Sequence, residues 1–214
     1  MFKGIVRLLP YQHCRVRLVV SRLLAHFLAN LKVETVSVNA QQSRPMTSPR
    51  QQRSTRRHGM LSKVALLLCG QLDDAYLDDT TAKYIVRNFM YIIQIMLLAP
   101  QFFLPCNCQN GEDVHDDAPV NNAGGPVGWL VAHLSKAARR SAPISCSIIF
   151  QCFGIIVSCT HNTDILEPLV PVMVSTISKT LTSGPSTNEN GNRGRQQQTK
   201  LLAREIMKML SRCV

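Results

Sequence analysis

The chain has 214 residues, 45% of them hydrophobic, and a formal charge of +11 at pH 7. That hydrophobic content excludes a wholly disordered chain, and the length suffices for one large domain, or one domain with tails, around a sizeable core. The charge is one-sided: residues 1–72 hold twelve Lys/Arg against one acid, Glu34, whereas residues 73–214 hold twelve of each sign. A basic first third suits a polyanionic partner, nucleic acid or an anionic membrane surface, against the plainer reading of a solvated basic linker.

Residues 11–31 predict an amphipathic helix. Val16, Val19, Val20, Leu23, Leu24, Phe27, Leu28 and Leu31 recur at helical spacing, and Arg15, Arg17 and Arg22 lie off that stripe. The first thirty-three residues carry no acid, a feature shared with mitochondrial presequences. The regular stripe favours a core-facing helix. Residues 35–58 read as a flexible basic linker rich in Gln, Ser and Arg, with Pro45 and Pro49. Arg44, Arg50, Arg53, Arg56 and Arg57 have no acid among them, and a planar guanidinium fork matches phosphate oxygens. Ser48-Pro49 is a weak candidate for phosphorylation.

Helical signal returns over 61–72. Asp78 or Asp79 in the run LDDTT offers an N-cap for a helix to about Leu98, with Ala82, Ile85, Val86, Phe89, Ile92, Ile93 and Met96 as its buried face. Residues 105–125 form an acidic loop through Glu112, Asp113, Asp116 and Asp117. Pro126 opens a helix carrying Trp129, Leu130, His133, Leu134, Ala137 and Ala138, since proline at a first turn gives up an amide that has no partner there. Arg139 and Arg140 follow at its C-terminus, where they suit the helix dipole and can equally reach a phosphate.

The run from Ile148 to Cys159 is apolar almost all round, through Ile148, Ile149, Phe150, Phe153, Ile155 and Ile156. Such a helix must be covered on both sides. Residues 183–196 are a polar, glycine-rich loop, and a last helix over 198–212 places Leu202, Ile206, Met209 and Leu210 on one side.

About seven helices and no strand give an all-α fold, an α-solenoid of HEAT- or armadillo-like helix pairs recurring at about forty residues, with long disordered loops between them. The divisions are 1–34 (basic amphipathic helix), 35–58 (basic linker), 59–104 (helical pair), 105–125 (acidic loop), 126–182 (helical repeats), 183–196 (polar loop) and 197–214 (C-terminal helix). The longest apolar runs, around 91–99 and 146–159, are interrupted by Gln94 and Gln151 and are too short to span a bilayer. Most of the eight cysteines fall inside apolar helical pattern, where a thiol acts as a small hydrophobe. With no secretory cleavage site in view, a reduced intracellular compartment is expected.

Little points to catalysis. Cys106-x-Cys108 with His115 falls short of the paired spacing of a structural zinc site. The acidic pairs Asp73/Asp74, Asp78/Asp79 and Asp116/Asp117 read as caps and turns. Phosphate-cradling, nucleophile-elbow and HExxH motifs do not occur in the sequence. No enzyme activity, metal, cofactor or small-molecule substrate is expected.

Four stretches, HCRVRLVVSRLLAHFL, LLLCGQLDDAYLDDTTAKYIVRNFMYI, GWLVAHLSKAARR and LAREIMKMLSRCV, resemble the C-terminal part of the small-subunit processome component 20 family, the very large HEAT-repeat proteins also called the down-regulated-in-metastasis family. The likeness covers most of the helical pattern and is strongest in 61–98 and 126–212. It implies a nucleolar scaffold in 18S pre-ribosomal RNA processing, with pre-ribosomal RNA and processome proteins as partners and no membrane. Against that family the chain is short, reading as a fragment or terminal piece, and 35–58 interrupts the helical array. RNA contact is then expected from Arg44, Arg50, Arg53, Arg56, Arg57, Arg139 and Arg140. The other reading is a mitochondrial or membrane-associated helical protein with a basic amphipathic N-terminus.

Overall fold

The computed structural model describes residues 2–11, 13–31, 61–73, 77–103, 124–139, 142–182 and 193–213. Among these the fold is all helical, without a strand. In chain order the helices are α1 (Phe2–Leu8), α2 (Cys14–Ala29), α3 (61–71), α4 (Asp79–Leu98), α5 (Gly125–Ala138), α6 (Pro143–Cys159), α7 (Thr163–Leu166), α8 (Val170–Thr182) and α9 (Arg193–Leu210). Two 3₁₀ turns, Pro100–Phe102 and Glu167–Leu169, follow α4 and α7.

Where one helix was expected near the N-terminus, two are found. Pro10 separates them, because proline can neither donate the helical hydrogen bond nor leave the preceding residue free to stay helical. Helix α1 still reaches the core through Ile5, Val6 and Leu9. On α2 the buried residues are Val20, Ser21, Leu24, Ala25 and Leu28; Val16, Phe27 and Leu31 of the predicted stripe are half-buried against the core, and Val19 and Leu23 are exposed.

Asp78 is the N-cap of α4. Its carboxylate accepts from the Thr80 and Thr81 amides at 3.0 and 2.8 Å and from Thr81 Oγ1 at 2.6 Å. Ile85, Phe89, Ile92, Ile93 and Met96 are buried as the spacing predicts. At the far end Pro100 stops α4, and the 3₁₀ turn carries Phe102 and Phe103 back into the core. Helix α5 starts at Gly124, whose φ of +82° is left-handed and whose added Cβ would sit 2.9 Å from Leu169 Cδ2. Glycine is needed there on both counts, and the contact pins the start of α5 to the turn before α8.

The hub is α6, which packs against α4, α5, α8 and α9. Ile148, Ile149, Phe150, Cys152, Phe153 and Ile156 are almost wholly enclosed, as a helix apolar on every side requires. The strongest packing follows chain order: α2 on α4, α4 on α6, α6 on α9. Helix α5 lies on α6 and α8. Helix α9 begins at Arg193, five residues before the expected start at 198, because Arg195, Gln196, Gln197 and Gln198 are good helix formers. It closes on the hub through Ala203, Ile206 and Leu210.

Two buried side-chain hydrogen bonds join distant parts of the chain. Asn88 Nδ2 on α4 donates to Ser21 O on α2 at 3.1 Å, and Gln71 Nε2 at the end of α3 donates to Leu9 O after α1 at 2.6 Å. Gln71 gives the Leu9 carbonyl, past the end of α1, a buried donor, and Asn88 adds a second donor to the Ser21 carbonyl beside the amide of its own helix.

Candidate functional site

Of the residues expected to contact RNA, Arg139 lies within the described residues, and Arg44, Arg50, Arg53, Arg56, Arg57 and Arg140 lie outside them. Arg139 is the C-cap of α5 and is exposed. Its charge stands where the helix carbonyls leave partial negative charge, so its position is explained without a ligand. Cys106, Cys108 and His115 also lie outside the described residues. Among the described residues no group of three or more His, Cys, Asp or Glu is gathered to hold a metal ion.

The described part of the basic first third is concentrated on α1 and α2. Between Phe2 and Leu31 stand Lys3, Arg7, Arg15, Arg17 and Arg22, and no acid. Lys3, Arg7, Arg15, Arg22 and His26 are exposed. At about 100° per residue, Arg15, Val19, Arg22, Leu23 and His26 share the arc of α2 opposite Val20, Leu24 and Leu28. Val19 is 55% and Leu23 48% exposed. Val16 and Phe27 are half-buried and pack against the core at one edge of that arc. The outward face of α2 is thus an aliphatic strip bordered by cations. Sequence periodicity found the apolar residues; it carried no signal for which of them would lack a covering neighbour.

Elsewhere some cations meet acids. Arg195 on α9 pairs with Asp79 on α4 at 3.0 Å, and Lys208 pairs with Glu205 at 2.9 Å. Arg87 Nε donates to Tyr91 Oη one turn on, at 3.3 Å. Between α8 and α9 an open groove of about 400 Å³ is lined by Leu181, Arg204, Met207, Lys208 and Ser211.

The buried thiols are not nucleophiles. Burial, with the Asp73 charge adding to it, pushes Cys69 up to about 12. Burial pushes Cys146 up to about 11, and Cys152 rises for the same reason, with Cys69 nearby. A thiol held protonated is a poor nucleophile. His133 Nδ1 lies 2.9 Å from Trp129 O, which can only accept, so the proton sits on Nδ1 and the ring packs 4.5 Å from the indole. It is a packing residue. Asp78 is held below its ordinary range: partial burial opposes ionisation, but hydrogen bonds from Thr81 and Thr80 outweigh it. That carboxylate is engaged as a cap. Among the described residues no helix is long and apolar enough to cross a membrane.

The arrangement offers binding surfaces, and the titratable groups with displaced pKa values serve packing or capping. No family model, curated protein or solved structure matches the chain.

Proposed function

We propose that the chain is a non-catalytic helical scaffold of HEAT- or armadillo-like pairs, working in 18S pre-ribosomal RNA processing within the small-subunit processome. One observation carries the scaffold reading: α2, α4, α6 and α9 pack each on the next in chain order. Such successive packing supports a stacked array, in which each unit buries its faces against its neighbours. The four stretches that resemble the processome family overlap α2, α3–α4, α5 and α9.

RNA contact is assigned to residues 1–72, where the entire charge excess lies, with the neutral remainder facing protein. Arginines without neighbouring acids neutralise phosphates and release counterions without reading sequence. The test is crosslinking and sequencing of RNA bound to a tagged full chain in cells, beside its location. Reads concentrated on pre-ribosomal RNA and a nucleolar signal are expected. A mitochondrial signal with no enrichment of pre-ribosomal RNA would overturn the reading and favour the basic-presequence alternative.

A further inference from the structure

We propose that the outward face of α2 is a docking site for an amphipathic helix of a partner protein, one whose apolar stripe is bordered by Asp or Glu. Val19 and Leu23, four residues apart, stand open to solvent at 55% and 48% exposure. They continue an apolar line formed with Val16 and the aromatic Phe27, which already lean on the core. The line runs eleven residues, or roughly 16 Å of helix, about three turns. That is the reach of a helix read through anchors at i, i+3, i+4 and i+7.

Charge selects the partner. Arg15, Arg22 and His26 flank the strip, and no acid occurs from Phe2 to Leu31. An acidic border on the incoming helix meets that field and speeds encounter. Residues 32–60 of this chain are themselves basic, with one acid at Glu34, and would be repelled. A second copy presenting the same face would be repelled likewise. RNA would satisfy the arginines and leave Val19 and Leu23 without a partner. Membrane insertion needs a broad apolar face with aromatic anchors, and Val20, Leu24 and Leu28 on the other side of α2 are committed to the core. The proposal does not need the processome reading, and it leaves the RNA contact proposed for residues 1–72 to basic residues other than Arg15 and Arg22.

The test uses the full chain and a phage-displayed library of randomised helical peptides of about four turns. Selection should enrich amphipathic sequences with acidic borders. A synthetic peptide of the enriched sequence should bind Val19→Asp/Leu23→Asp at least tenfold more weakly than the unaltered chain. Arg15→Gln/Arg22→Gln should also weaken it and flatten its response to salt between about 50 and about 300 mM. Circular dichroism of both variants should match the unaltered chain. The double Arg variant, which places no new charge on an aliphatic position, decides the matter if the Asp variant unfolds. Enrichment without acidic sequences overturns the proposal, as does peptide affinity indifferent to the substitutions. Phosphatidylserine vesicles, oligouridine or self-association that depends on Val19 and Leu23, where no acidic peptide is selected, would assign the face to lipid, RNA or a second copy and likewise overturn it.

Discussion

Helices α6 and α2 are close in length, 17 and 16 residues, and each carries more apolar surface than one neighbour can cover. Helix α6 meets α4, α5, α8 and α9, and its large side chains disappear from solvent. Helix α2 meets α1 and α4, and Val19 and Leu23 remain open. The same residue types therefore serve cohesion in one place and leave a surface in the other. What separates them is placement: α6 is enclosed by the helices around it, and α2 presents one face to solvent.

Phe153→Ala should be the most damaging single change. The ring is fully enclosed on α6, and its loss leaves a cavity costing about 3–5 kcal/mol. Urea unfolding measures it; a loss under about 1 kcal/mol would mean that α6 is not the hub. Asn88→Ala should come next, at about 0.5–1.5 kcal/mol, because it removes a buried hydrogen bond that joins α4 to α2. Hydrogen exchange should quicken in α2 and stay unchanged in α9. If both helices respond equally, α2 is not a separable edge.

Asp78→Ala should cost about 1 kcal/mol through the lost cap. The carboxyl's pKa is lowered on folding from 3.8, so its contribution is present above that value and fades as pH falls through the lower folded pKa. Stability should drop on acidification below pH 3.8 more steeply for the unaltered chain than for Asp78→Asn, which keeps a capping oxygen that does not titrate. Parallel acid-unfolding curves would remove the cap from the pH response. The smallest effect is expected at the open face: Val19→Asp should stay within about 0.5 kcal/mol, as at an exposed site. A thermal midpoint lowered as far as by Asn88→Ala would show that the strip is covered.

The hub and α4 were legible in the sequence. Ile85, Phe89, Ile92, Ile93 and Met96 fall on one face by spacing alone, Asp78 announces its helix, and Trp129, Phe150 and Phe153 are buried as predicted. Buried polar residues were not legible. Ser21, Gln71, Thr81 and Asn88 are enclosed, yet a polar letter in a periodic pattern reads as a solvent position. The partners of Gln71 and Asn88 stand more than sixty residues away. Helix α1 was missed because seven residues before a proline show hardly two turns of period. The openness of Val19 and Leu23 was missed because periodicity reports a face and says nothing of what stands opposite. Of the expected RNA contacts, the structure describes Arg139 alone.

The bonds from Asn88 to Ser21 and from Gln71 to Leu9 have a further consequence, in chain connectivity. They tie α1–α2 to the body across sequence separations of 67 and 62 residues. Closing such a loop costs an entropy that grows only logarithmically, about 0.6 kcal/mol for each doubling of length. The segment joining α2 to α3 can therefore lengthen or shorten through insertions with little change in stability. Cutting it has a different effect. Severed between Leu31 and Leu61, α1–α2 becomes a detachable cap whose hold on α4 varies with concentration, and dilution alone would strip it from an otherwise folded body.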